Sequence, residues 1–331
     1  MQHFTYTRAS TAADAVRAVT SGGPGTRFLA GGTTLYDLMK LNVETPTRVI
    51  DVTGLKELDG IDTDGRNELV FGALARMSDV ASHPQIMAEY PALSESLWRA
   101  ASQQLRNMAT LGGNLLQRTR CAYFRGGEPF GCNKRKPGSG CAAQQGIDRS
   151  HALLGQSDAC IAVYPGDLAI ALVAFDAKID VLGPDGQRTL AVEELHREPG
   201  ATPNVETTLK SGELILRIRV PKTAMGRAST YHKIRDRESY AFALASAAVA
   251  LNMDGDTVRE ARIAIGGLAT RPWRARTAEQ ALAGKTLTPR TAREAGDAAL
   301  QGARPGRDNA FRIELGARTV ADALMIAKQR A

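Results

Sequence analysis

The chain has 331 residues, 43% hydrophobic and 5% aromatic, with a formal net charge of +7 at pH 7; that length suits two or three domains with sizeable cores. The positive excess is spread along the chain, with little aromatic interleaving and no RNA-recognition signature, which argues against nucleic acid and for a positively charged face toward an acidic partner. The longest apolar run, AFALASAAVAL (241–251), is far short of the roughly 20 residues that span a bilayer, and MQHFTYTRAS at the start lacks the basic-then-apolar pattern of a secretory signal.

FTYT (4–7) reads as a short strand. STAADAVRAVTS (10–21) reads as a helix capped by Ser10 or Thr11, with Ala12, Ala15, Val16 and Val19 along one stripe. TRFLAGG (26–32) is a strand running into glycines, TTLYDLMKLN (33–42) has helical periodicity, and RVIDVT (48–53) is a strand. Residues 1–56 therefore predict a small βαβαβ unit. ELVFGAL (68–74) is a strand; SDVASHPQI (78–86) and YPALSESLWRAASQQL (90–105) are helical. PGDLAIALVAFDAKIDVLGP (165–184) is a helix and then a strand that turns at GPDGQR, and ELILRIRVP (213–221) is a strand ending at Pro221. After a boundary at KTAMGRAST (222–230), the pattern predicts a strand, a helix-like apolar run at 241–251, a hairpin and a strand, followed by amphipathic helices to the end.

Two loops pair glycines with hydroxyls. In Thr26-Arg27-Phe28-Leu29-Ala30-Gly31-Gly32-Thr33-Thr34 a strand ends in two glycines, which let consecutive peptide N–H groups turn toward one anion such as a pyrophosphate. An ordinary strand-to-helix turn is the plain alternative. In Thr110-Leu111-Gly112-Gly113-Asn114, Thr110 can donate to a phosphate and Asn114 can both donate and accept. Two such loops, each after a β/α unit, predict a dinucleotide clamp. Neither is a Walker loop or a GxGxxG fingerprint.

All the cysteines, Cys121, Cys132, Cys141 and Cys160, fall in one short stretch, and three lie in RCAYFRGGEPFGCNKRKPGSGC (120–141). That segment offers little apolar surface, so a shared ligand is expected to order it. The spacing fits neither zinc ribbons nor the bacterial ferredoxin run, which leaves an iron–sulfur cluster, zinc, disulfides or free thiols open. Arg118, Arg120, Arg125, Lys134, Arg135, Lys136 and Arg149 flank the thiols. They are expected to stabilise an anionic centre and to lower the thiol pKa values. His151 is a conceivable substitute ligand, but it reads better as a surface histidine. Asp167 reads as a helix N-cap or as a carboxylate for a ligand's hydroxyls. Lys233 lies in a charged run that reads as a solvated face, or as a cation offered to a flavin edge.

Together FLAGGTTLYDLMKL, LRNMATLGGNLLQRTRC, YPGDLA and YHKIRDRESYAFAL resemble the FAD-binding subunit of the xanthine dehydrogenase family of molybdenum hydroxylases, and most closely its periplasmic aldehyde oxidoreductase branch. The resemblance covers essentially the whole chain. It implies an α+β fold: a two-part FAD-binding domain of the vanillyl-alcohol-oxidase (PCMH) type, 1–56 and 57–221, followed by a C-terminal α+β domain of the CO-dehydrogenase flavoprotein type, 227–331. It implies FAD contacts from Thr26, Arg27, Phe28, Leu29, Ala30, Gly31, Gly32, Thr33, Thr34, Thr110, Gly113, Asn114, Gln117, Asp167 and Lys233. TRCAYF, PFGCNKRKPGSGC and DACIA resemble the members with an added [4Fe–4S] cluster on an inserted loop (118–160), held by Cys121, Cys132, Cys141 and Cys160.

The expected role is then electron transfer, with no catalytic residue in this chain. A large partner with a molybdenum–pterin cofactor would oxidise aldehydes to carboxylic acids, and a small [2Fe–2S] partner would pass the electrons on. FAD here would deliver them to an external acceptor, all within a heterotrimer. Without a signal of its own, the chain is expected to reach the periplasm by co-export with a signal-bearing partner, or to stay cytoplasmic if that partner has none. A stand-alone flavin oxidoreductase and a non-catalytic, zinc-stapled adaptor are the competing readings.

Overall fold

The computed structural model describes residues 1–331. Strands β1 (Thr5–Arg8), β2 (Thr26–Leu29) and β3 (Arg48–Asp51) form a parallel sheet in the order β1-β3-β2, as the βαβαβ pattern requires. Thr11 caps the helix Ala12–Gly22, its hydroxyl accepting from the Asp14 amide at 3.0 Å. The stripe of Ala15, Val16 and Val19 is buried against Ile50, Val52 and Leu55. Leu214 and Leu216 of the next sheet join the same cluster, so the first unit shares its core with the second.

Strands β4 (Ile61–Asp62), β5 (Glu68–Gly72), β6 (Lys178–Gly183), β7 (Gly186–Ala191) and β8 (Leu214–Pro221) make an antiparallel sheet in the order β4-β5-β8-β6-β7. The helix Leu168–Ala174, buried at every position, packs into the core of this sheet. The stretch read as one helix over 90–105 is two, Pro91–Trp98 and Gln103–Met108. Ala101 turns through a left-handed φ of 47°, and Ser102 starts the second helix as its N-cap. A helix end leaves carbonyls without intrahelical partners; here the Arg99 carbonyl accepts from Lys233 Nζ at 2.9 Å and Arg235 Nη1 at 3.1 Å.

Strands β9 (Ser229–Ile234), β10 (Ala245–Asp254), β11 (Thr257–Gly266) and β12 (Trp273–Arg274) form a third sheet, antiparallel, in the order β12-β11-β10-β9. The helix-like reading of 241–251 is corrected here: most of that run is strand β10. It sits in the middle of the sheet with both faces covered. Ala245, Ala247, Val249 and Leu251 face the C-terminal core, whereas Ala248 and Ala250 face the large central one. A strand buried on both sides loses its polar alternation, so its sequence no longer distinguishes it from a buried helix.

Helices Arg276–Leu282, Pro289–Ala299 and Phe311–Lys328 follow. Near the start of the last, the buried Arg312 guanidinium donates to the carbonyls of Leu244 at 2.9 Å, His151 at 2.6 Å and Gly267. Burial pushes its pKa down to about 10, and its planar fork ties the third sheet to the cysteine segment. No helix is long and apolar enough to cross a membrane.

Candidate functional site

Strand β2 delivers the chain into Ala30–Thr34. None of the peptide N–H groups of Ala30, Gly31, Gly32, Thr33 and Thr34 finds an acceptor within the chain. Gly32 has a φ of 72°, a left-handed conformation that reorients successive amides. A run of open amides in such a turn is an anion-binding concavity. Gly31 is constrained for a different reason, because a Cβ there would collide with the Met108 carbonyl. The first loop therefore lies directly on the approach to the second.

In the second loop Thr110 is the N-cap of the short helix Leu111–Leu115, its oxygen accepting from the Gly113 amide at 3.4 Å. That leaves the O–H free to donate. Asn114 Nδ2 lies 3.4 Å from Met77 Sδ, while Asn114 Oδ1 is buried with no partner. Gln117 Nε2 donates to the Asn114 carbonyl at 3.0 Å. An orphaned buried acceptor is costly unless a ligand satisfies it.

Two clefts meet along these loops. Leu29–Leu35 and Gly113 line both. The smaller, about 300 Å³, also takes Arg27, Phe28 and Thr110 and runs to Leu214 on β8. The larger, about 1400 Å³, takes Asn114, Gln117 and Asp167, with Tyr240 and Phe242 on its far side. Thr26 lines neither; its hydroxyl is buried without a partner, under Gly22 at the end of the first helix. The Arg27 guanidinium donates to Glu44 at 3.3 Å and to the Pro24 carbonyl at 2.6 Å.

Asp167 occupies the N-cap position of Leu168–Ala174 but makes no capping bond with its side chain. Its carboxylate accepts from Tyr231 Oη at 2.5 Å and Lys233 Nζ at 2.9 Å. Lys233 is not in a solvated face; its side chain is 1% exposed, behind Asp167. Tyr231 and Lys233 share one side of β9 by alternation, and both ends of the pair are deeply buried. Burial raises the Asp167 pKa, and the Lys233 ammonium and Tyr231 hydroxyl oppose that rise. Sequence reading missed Tyr231 because nothing local links it to Asp167.

The four cysteines converge. Cys121 caps the short helix Ala122–Arg125, Cys132 and Cys141 face each other across an antiparallel bridge, and Cys160 closes a tight turn on Ser157. All four line one small enclosed cavity, and none is in a disulfide. No group of three or more His, Cys, Asp or Glu side chains is arranged to close on a metal ion; the sulfurs surround a shared space instead. The segment also orders itself in part. Phe124 packs on Leu38 and Cys132, and the Arg135 guanidinium donates to the carbonyls of Tyr123 (2.9 Å), Phe124 (2.8 Å), Gly127 (2.9 Å) and Phe130.

Three expectations about this region are corrected. Two of the thiols are raised, not acidified: burial pushes Cys121 up to about 11 and raises Cys160, because desolvation outweighs the nearby cations. Most of those cations are paired elsewhere. Arg120 and Arg125 bind Asp37 at 3.1 and 2.8 Å, and Arg118 binds Glu44 and Glu206. They fasten the segment to the first unit. Lys134 is the cation that acts on Cys160. His151 is not on the surface; it is buried, with Nε2 3.2 Å from Cys121 Sγ.

A nest of open amides between a parallel βαβαβ unit and an antiparallel sheet, followed by a third α+β unit, is the build of a protein that holds an anionic ligand between its first two units. Residues 2–223 match the family described as "FAD binding domain in molybdopterin dehydrogenase", and residues 229–326 match the "CO dehydrogenase flavoprotein C-terminal domain". The chain belongs to the FAD-binding medium subunits of the molybdenum hydroxylase family, and is thus an oxidoreductase subunit of α+β fold.

It is 44% identical to the aldehyde oxidoreductase FAD-binding subunit PaoB of Escherichia coli (strain K12), covering 100% of both chains. It is 28% identical to the carbon monoxide dehydrogenase medium chain of Hydrogenophaga pseudoflava, over 92% of this chain and 88% of that one. A solved structure of carbon monoxide dehydrogenase from the same organism, lacking the Mo-pyranopterin moiety, superposes with a TM-score of 0.78 at 27% identity, over 100% and 99% of the two chains.

Proposed function

We propose that this chain is the electron-transfer subunit of a heterotrimeric, molybdenum-containing aldehyde oxidoreductase. A large partner would convert an aldehyde and water to a carboxylic acid, releasing two electrons and two protons. This chain would receive the electrons through a small [2Fe–2S] partner and pass them to an external acceptor. Aldehyde as the substrate class rests on the 44% identity to the Escherichia coli subunit. The assembly would reach the periplasm if one of the partners bears an export signal.

The observation that carries the reading is the row of unpaired amides from Ala30 to Thr34, set against Thr110 and Gly113 where the two clefts meet. Those amides would hold the FAD pyrophosphate. The Thr110 hydroxyl, Gly113, the unpartnered Asn114 Oδ1 and Gln117 would hold the phosphate and ribityl end. Asp167 would meet the ring from the far wall, with Lys233 behind it as a counter-charge. FAD when bound supplies a store that exchanges electrons one or two at a time. Cys121, Cys132, Cys141 and Cys160, all lining one cavity, would hold a [4Fe–4S] cluster, which supplies a one-electron site and a staple for the loop.

Cofactor analysis of the purified complex tests this. Flavin, iron, acid-labile sulfide and molybdenum together, with two co-purifying chains, are the expected result. A colourless sample holding zinc and no flavin would overturn the reading. Flavin in a single isolated chain that turns over its own substrate would overturn the subunit role.

A further inference from the structure

The sulfur of Cys121 stands apart from the other three. His151 Nε2 lies 3.2 Å from it, a side-chain partner that none of the other cysteine sulfurs has. Cys160 receives the Ala162 amide alone, at 3.5 Å. The imidazole is held where it is from outside. The His151 amide donates to the Asp148 carbonyl at 2.8 Å, and the His151 carbonyl accepts from buried Arg312 at 2.6 Å and Asn309 at 3.4 Å. The Asp148 carboxylate is in turn fixed by the amides of Arg307 and Asp308, each at 2.8 Å. The C-terminal unit thus clamps a ring from the cysteine segment against one thiol.

The tautomer follows from the other nitrogen. His151 Nδ1 is buried with no partner. A proton on Nδ1 would leave a buried donor unsatisfied and would make Nε2 an acceptor from a weak S–H. A proton on Nε2 leaves only a spare lone pair, the cheaper defect, and points an N–H at the sulfur.

We propose that His151 is a positioning residue for the thiol-lined centre: its Nε2–H donates to Cys121 Sγ and thereby raises the reduction potential of an iron–sulfur group held by the four cysteines. The inference rests on the cluster reading given above. Reduction adds one electron, and the added negative charge spreads onto the thiolate sulfurs. An N–H···S bond is stronger to the more negative state, so it favours reduction. No bond at His151 forms or breaks, and no proton moves.

The test is an EPR redox titration of the intact complex with dithionite as the electron donor, on wild type and H151L, with iron and sulfide counted in each. H151L is expected to keep its iron and to show a more negative midpoint, with H151Q, which retains an N–H, nearer to wild type. H151L with full iron and the wild-type midpoint overturns the proposal. Because H151L is open to assembly failure, wild-type complex labelled with ¹⁵N-histidine provides an independent arm. Pulsed EPR of the reduced cluster is expected to show weak ¹⁵N coupling and an exchangeable proton, and their absence overturns the proposal. Wild-type complex without iron and acid-labile sulfide sinks the cluster reading itself, a different failure.

Discussion

Gly31 is seated against the carbonyl of Met108, so closely that the smallest side chain would collide with it. This contact joins the two glycine-bearing loops, and it sets the spacing between the open amides of Ala30–Thr34 and the Thr110 side. Gly31→Ala is expected to push the loops apart. Overpacking of this kind costs about 1–3 kcal/mol, which corresponds to roughly 5- to 150-fold weaker FAD retention if the strain falls on the bound state. Flavin per chain after gel filtration measures it. Full flavin occupancy in the variant would show that the junction does not shape the site.

The thiol cavity gives a separate expectation. Cys132 is buried, contacts Phe124 and Leu38, and faces Cys141 across a bridge. Cys132→Ser changes one atom, so the fold should survive while iron and acid-labile sulfide fall by half or more. Flavin content should change little, because the amide nest lies on other elements. Metal analysis and the flavin spectrum of the same sample read both. Unchanged iron would remove Cys132 from the ligand set.

Much of the fold is readable in the residues, and the reasons for the misses are physical. Thr11 and the Ala15–Val16–Val19 stripe mark the first helix because capping and 3.6-residue periodicity are local signals. The two glycine loops are legible because tight backbone approach admits little else. Strand β10 is not, since small apolar residues facing two cores carry no period. His151 and Tyr231 are illegible for another reason. Their partners, Cys121 and Asp167, are set by contacts from Arg312 and from the register of β9, both distant in sequence.

Lys233 and Asp167 make a buried ion pair, and removing one partner leaves an uncompensated group. Lys233→Met is expected to cost about 3–5 kcal/mol near neutral pH. The sign of the pH dependence follows from Asp167, whose folded pKa is raised by burial and held back by Lys233. Without Lys233 the rise is larger. A carboxyl with a raised folded pKa is best tolerated protonated, below its unfolded value of about 3.9, and stability is lost as pH climbs through the folded value. The deficit of K233M relative to wild type should therefore shrink toward acid pH, and adding D167N should recover part of it at neutral pH. Urea unfolding at several pH values measures this; a deficit independent of pH would count against the pair.

His196 gives the opposite slope. Its Nε2 donates to the Leu115 carbonyl at 2.8 Å, at the end of the helix that carries Gly113 and Asn114, and Tyr164 donates to the same oxygen at 3.2 Å. The ring is buried against Tyr164, and burial drives its pKa down to about 4. In the unfolded chain it titrates near 6.5. The unfolded state thus binds more protons between those values, so the stability His196 allows is intact above about 6.5 and is lost as pH falls through about 4. The shift amounts to roughly 3 kcal/mol as an order of magnitude. Wild type should lose stability over that window more steeply than His196→Gln, whose amide can still donate to Leu115 but does not titrate. Because Leu115 ends the helix of the second glycine loop, flavin release should follow the same acid profile if that loop holds the cofactor as proposed. Parallel unfolding curves for the two proteins from pH 7 to pH 4 would show that His196 is not the group responsible.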